Sequence, residues 1–130
     1  SPSKFIPHLI DKILREETFI DMTLGLQTRD FIYVNDVVSA FETVLKNELK
    51  LTNYQEYEVG SGKSYSIKHL AELIQKISKS KTELNFGAIP YRKGEIMESV
   101  CNNKKLIELG WTSKFSLNVG LSKIIKNLNK

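Results

Sequence analysis

A strand-turn-helix unit in the middle of the chain most constrains what this sequence can fold into. Tyr57-Glu58-Val59 reads as a short strand and Gly60-Ser61-Gly62 as a tight turn. From about Ser66, the residues Ile67, Leu70, Ala71, Leu73, Ile74 and Ile77 recur at helical spacing and point inward. Such a face must be buried against another layer. Lys4 to Glu16 reads as an amphipathic helix, with Phe5, Leu9, Lys12 or Ile13, and Glu16 in step, Ser3 as N-cap and Pro7 in the first turn. Thr18 to Leu24 is β-like, with Gly25 as its turn, and Asp30 to Val34 reads as a short strand. Asn35 or Asp36 then caps a helix from about Val37 to Asn47, with Val37, Val38, Phe41, Val44 and Leu45 on one face. Thr82 to Phe86 is a further strand, Tyr91 to Glu95 a polar loop, Asn103 to Leu109 a short helix ended by Gly110, and Leu117 to Leu128 the last helix. Strands and helices alternate, so the class is α/β, and 130 residues suit one domain spanning 1–130.

The remaining composition mainly excludes. No apolar run approaches the ~20 residues of a membrane span, and no signal peptide opens the chain. Its start at Ser1-Pro2, without methionine, suggests a piece of a longer protein. A single cysteine, Cys101, forbids an internal disulfide and suits a reducing, cytoplasmic setting. His8 and His69 lie far from it in sequence and in helical patterns, so neither a cysteine nucleophile nor a metal site is expected. The net charge of +4 comes mostly from scattered lysines. Aromatic residues do not interleave with them as a base-stacking surface requires, so no nucleic-acid partner is expected, although the field favours an anionic ligand.

Gly60-Ser61-Gly62 sits where a phosphate-binding turn belongs. A dinucleotide fingerprint would need glycine at position 65, which is Tyr65, so a plain strand-to-helix turn is the simpler reading. Arg29 and Arg92 draw more attention, each with a glycine in or near its loop and an acid beside it, Asp30 or Glu95. A guanidinium fork matches phosphate oxygens, and a diphosphate has acceptors enough for two forks. A carboxylate such as Glu95 can accept from sugar hydroxyls. Surface ion pairs are the alternative.

Four stretches, in this order, resemble the C-terminal part of the extended short-chain dehydrogenase/reductases that act on nucleotide sugars, the NAD-dependent epimerases and dehydratases. "SKFIPHLI" is similar to the helix after the family's FNVYGP strand, and "GLQTRDFIYVNDVVSAF" to its R-D-[FYW]-[IL]-[HY]-V-x-D segment. "YEVGSGKSYSIKHLAELI" is similar to its Y-N-[VIL]-G-[ST]-G unit, and "YRKGEIMESVCNNKKLIELGW" to its R-x-G-[DE] loop with the L-G-[WY] that follows. The resemblance covers nearly the whole chain. It implies a small mixed α/β substrate-binding domain in which Arg29 and Arg92 grip the diphosphate of a nucleoside-diphosphate sugar. It further implies that Glu95 takes the ribose, Ile20 and Met22 line the base pocket, and Lys4 and Phe5 lie near the sugar diphosphate. Within the family the segments look closest to enzymes making deoxy or dideoxy sugars of surface polysaccharides. Asn35 stands where the family often has aspartate, and Cys101-Asn102-Asn103 replaces its usual acidic and small residues.

The family's chemistry needs G-x-x-G-x-x-G for the NAD or NADP pyrophosphate and Tyr-x-x-x-Lys for proton transfer, and neither occurs in these residues. No catalytic or cofactor-binding residue is therefore assigned. The expectation is a fragment of an enzyme whose N-terminal Rossmann half is missing, inactive alone, the alternative being a stand-alone non-catalytic binding or regulatory module. Tyr57–Val59 would then present an open edge, the first helix would have an uncovered apolar side, and a homo-oligomer could result.

Overall fold

The computed structural model describes residues 2–47 and 55–128, with side chains from Phe5 onward. The elements are α1 (Pro2–Leu14), β1 (Phe19–Met22), β2 (Thr28–Arg29), α2 (Val34–Lys46), β3 (Tyr65–Ser66), α3 (Ile67–Ser78), β4 (Glu83–Phe86), α4 (Lys104–Glu108) and α5 (Leu117–Leu128). β1 and β4 pair in parallel, Phe19 opposite Glu83 through Met22 opposite Phe86. β2 and β3 pair antiparallel, Thr28 opposite Ser66 and Arg29 opposite Tyr65. The α/β class is as the sequence implies. No helix among the described residues is long and apolar enough to cross a membrane.

The main core forms where three helical stripes meet the inner face of β1. Leu9, Ile10 and Ile13 come from α1, Ile67, Leu70, Ala71 and Ile74 from α3, and Leu121 and Ile125 from α5, closing over Ile20 and Met22. α3 starts sharply because the Ser66 hydroxyl accepts from the His69 N–H, and it stops at Lys79, which adopts φ 57°. A second, smaller cluster joins Ala40 of α2, Leu106 of α4 and Trp111, with Tyr57 and Val59 packed against it. The Trp111 indole N–H donates to the Ser39 hydroxyl at 2.8 Å, so this wide ring buries its polar edge without loss.

Several local expectations are corrected. α1 begins at Pro2, so Ser3 lies within the helix instead of capping it, and Pro7 falls past the first turn. The stretch Asp30–Val34 forms no strand; the ladder residues are Thr28 and Arg29, and α2 already begins at Val34. Tyr33 holds the N-cap position without a side-chain bond, and Asp36 sits inside the first turn. Its carboxylate is buried and accepts from the Lys114 N–H at 2.8 Å and the Phe115 N–H at 3.0 Å. Asp36 thus pins the approach to α5, a task that outweighs capping its own helix. Val38, Phe41 and Leu45 do share a face, with Val34, but that face is open: they are 50, 64 and 67% exposed, and Val34 62%. Tyr57–Val59 enters no ladder.

Replacing Asp36 by alanine leaves two part-buried backbone N–H groups, those of Lys114 and Phe115, without their acceptor. Urea unfolding should show a loss of about 3 kcal/mol with an unchanged m-value. A loss under about 1 kcal/mol would mean that water takes over both donors.

Candidate functional site

A cleft of about 400 Å³ opens beside β1, within the size range of small-molecule sites. Strand alternation builds its floor. Ile20 and Met22 turn inward from β1, and both line the cleft, while Asp21 lies between them at the mouth and accepts from the Asn85 amide. The chain then makes a forced turn at Gly25, whose φ is +70° and whose carbonyl accepts from the Lys68 N–H at 2.9 Å. A β-carbon there would stand 2.9 Å from that same nitrogen, so the start of α3 can approach only a glycine. Beyond it, Gln27, Arg29 and Phe31 all line the cleft at period two, and the residue between the last two, Asp30, serves another purpose.

The opposite wall is the loop carrying Arg92 and Glu95. Two ties hold it against β2 and the segment just before it: the Leu26 N–H donates to the Tyr91 hydroxyl at 2.9 Å, and the Thr28 N–H to the Met97 carbonyl at 2.7 Å. Between them the chain turns tightly, the Glu95 N–H donating to the Arg92 carbonyl with Gly94 at φ +78°. Glu95 is brought inside, its side chain 12% exposed, whereas the Arg92 side chain is 85% exposed. Glu95 stands between the two arginines, with Arg29 Nη2 3.8 Å from one oxygen and Arg92 Nη2 3.4 Å from the other. Arg29 is steadied by donating from Nη1 to its neighbour's carbonyl, that of Thr28, at 2.7 Å.

Of the residues expected from sequence, the cleft brings together Arg29, Arg92, Glu95, Ile20, Met22 and Phe5. Lys4 belongs to α1, and its side chain lies outside the described residues. Sequence reasoning passed over Gln27, Lys12, His8 and the pair Ile89-Pro90, which also line the cleft. The signal for Gln27 was available, because a residue two before Arg29 on an extended segment shares its side. Gln27 is 8% exposed, its Nε2 donates to Glu95 Oε1 at 3.2 Å, and its Oε1 meets no partner among the described residues.

The Gly60-Ser61-Gly62 turn has a different occupant from the one its position suggests. The Asp30 carboxylate fills it, accepting from the Ser61 N–H at 3.0 Å, the Ser61 hydroxyl at 2.8 Å and the Gly62 N–H at 2.8 Å. The Cys101 N–H adds a longer contact at 3.4 Å. These donors form an anion-binding nest, and the chain supplies its own anion. Burial, together with the nearby charges of Glu58 and Asp30, pushes the Cys101 thiol above its usual range. It is therefore a poor nucleophile at neutral pH.

A mixed α/β body thus presents a partly apolar cleft whose polar end holds paired guanidiniums around one carboxylate. Residues 1–60 match the NAD dependent epimerase/dehydratase family. Over 128 residues, 97% of this chain, the sequence is 40% identical to the CDP-abequose synthase of Salmonella typhimurium and covers 43% of it. The fold matches UDP-glucose 4-epimerase of Thermotoga maritima, solved with UDP-glucose, at TM-score 0.80 and 27% identity, covering 96% of this chain and 39% of that one. It also matches WbmF of Bordetella bronchiseptica, solved with NAD+, at TM-score 0.73 and 31% identity, over 93% of this chain and 34% of that one. Along nearly its whole length the chain is similar to these relatives, and it spans less than half of theirs.

Gly60 tests the nest. A β-carbon there would lie 2.4 Å from the Cys101 β-carbon and 2.9 Å from an Asp30 carboxylate oxygen. Gly60→Ala should cost about 2 kcal/mol in thermal denaturation, and adding Cys101→Gly should recover part of it. No recovery in the double variant would place the strain elsewhere.

Proposed function

We propose that the cleft holds the nucleoside diphosphate of a nucleotide sugar. In this reading Arg29 and Arg92 bind the diphosphate, Glu95 accepts from the ribose, and Ile20 and Met22 pack against the base. Phe5 and Lys4, at the start of α1, lie toward the sugar diphosphate. The observation that carries the reading is the meeting of Arg29 and Arg92, far apart in sequence, at one cleft beside a partly buried carboxylate. Hydrogen bonds to charged groups contribute roughly 1.5–3 kcal/mol each, so two forks can dominate affinity for a diphosphate. Likeness to a CDP-abequose synthase supports a cytidine diphosphate deoxy sugar, used in building a surface polysaccharide. The arginines' long contacts to Glu95 leave both forks able to re-partner when the ligand arrives.

Hydride transfer with NAD or NADP belongs, on this reading, to a dinucleotide-binding portion outside these residues. The exposed stripe of α2 supports this. Val34, Val38, Phe41 and Leu45 recur along one helix face and are half or more exposed among the described residues. A short connection leads from that helix to the unladdered Tyr57–Val59. A helix leading into an unpaired strand is the last half of a helix-covered sheet. The parallel sheet of the dinucleotide-binding portion is the proposed cover.

Thermal-shift titration with CDP, UDP, dTDP and GDP tests the cleft. One diphosphate at a hundred times its Kd should add about 2.7 kcal/mol of stability, and Arg29→Ala or Arg92→Ala should abolish the shift. Arg29→Lys should restore little, because an ammonium cannot form the fork. No shift with any of the diphosphates in the unmutated chain would refute the reading.

The α2 surface makes a separate prediction. Sedimentation of the chain alone should show species larger than the 14.9 kDa monomer, and Phe41→Glu with Leu45→Glu should return it to a monomer. A monodisperse unmutated monomer would argue against a docking face on α2.

A further inference from the structure

We propose that Gln27 reads the sugar of the bound nucleotide: its amide oxygen accepts from a ribose hydroxyl while its amide nitrogen keeps Glu95 in place. This rests on the nucleotide reading of the cleft given above. The orientation of the amide follows from its partner. Nε2 lies 3.2 Å from Glu95 Oε1, and an ionised carboxylate only accepts, so turning the amide over would set two acceptors together. Oε1 is therefore the free end. It is closed to water and unpartnered among the described residues, an uncommon state for a buried amide oxygen.

The main chain cannot withdraw it, since the Gln27 carbonyl accepts from the Ile67 N–H at 3.0 Å, at the first turn of α3. What remains is a donor brought by the occupant of the cleft. An ionised diphosphate carries no proton to give, and the face of a base has none. A ribose offers adjacent hydroxyls, and the site offers adjacent acceptors to match: the Glu95 carboxylate and the other end of the amide that holds it. Arg29 follows Gln27 by two residues on the same wall, so the order along the segment follows ribose, then diphosphate. Arg29 stands 3.8 Å from Glu95.

Calorimetric titration tests this with the ribonucleoside diphosphate that binds the chain best and with its 2′-deoxy and 3′-deoxy forms. Removing one of the two hydroxyls should weaken binding to the unmutated chain about tenfold. Gln27→Met, which also frees Glu95, should weaken all three, but the ribonucleotide about tenfold more than that deoxy form, so that the ratio between them falls to near one. Gln27→Glu, which repels Glu95, should weaken all three. If the unmutated chain binds the ribo and both deoxy forms equally, the inference is overturned whatever the variants do. It is equally overturned if Gln27→Met weakens all three alike, or alters only the preference among bases. If no diphosphate binds the unmutated chain, the reading of the cleft itself fails, and this inference with it.

Discussion

The Asp30 carboxylate ties together stretches that are distant in sequence. It draws donors from Ser61 and Gly62 and touches the Cys101 N–H, so the segment bearing Arg29, the turn before α3 and the approach to α4 meet at one point. Extended backbone sends successive side chains to opposite sides. With Asp30 fixed on the side of the turn, Arg29 must face the cleft. A guanidinium whose backbone is set in this way loses less freedom on binding than one on a free loop.

The charges at the cleft are balanced among themselves. Two guanidiniums left alone at one end of an apolar hollow would repel each other. Glu95 between them reduces that cost, and the low exposure of Arg29 and Glu95 strengthens their attraction relative to open water. The same carboxylate competes with any incoming anion, but its contacts to the arginines are long, and the exposed Arg92 contributes little to stability by this pairing. On the proposed reading, the arrangement favours ligands that bring both an anion for the arginines and a hydroxyl for Glu95. A bare phosphate would satisfy only one side of it.

Where burial repeats at a helical period, the sequence was a sufficient guide. The stripe Ile67, Leu70, Ala71, Ile74 is buried as its spacing implies, and Leu117–Leu128 is the last helix as read. The polar positions were less legible, because their roles depend on partners far along the chain. Asp36 reads as a cap beside its own helix, yet its acceptors are used at Lys114 and Phe115. Gly60-Ser61-Gly62 reads as a turn or an anion site, and nothing local says that the anion is Asp30. Arg29, Arg92 and Glu95 stood out by residue type, while Gln27, a neutral amide, was signalled only by its place two residues before Arg29. Its burial and its one unmet oxygen make it conspicuous.

The two faces of α2 show why apolar pattern alone cannot locate an interior. Its inner side carries Ala40 and Asp36, with Val44 partly buried, and packs against Leu106 of α4 and Trp111. Its outer side has larger apolar residues, which gain nothing while hydrated, although burying such a side chain is worth about 1.5–3 kcal/mol. α1 behaves differently: Leu9, Ile10 and Ile13 are all within the core, so the uncovered side expected of that helix belongs to α2 instead. Small residues inside and large ones outside suit a helix clasped between two layers. One layer is the smaller cluster of this chain. A flat sheet face fits the other, because a stripe of Val, Phe and Leu along several turns of helix is the surface by which helices cover parallel strands. Tyr57 and Val59 already rest on the inner cluster, and on the proposed reading the sheet would take up its next strand there.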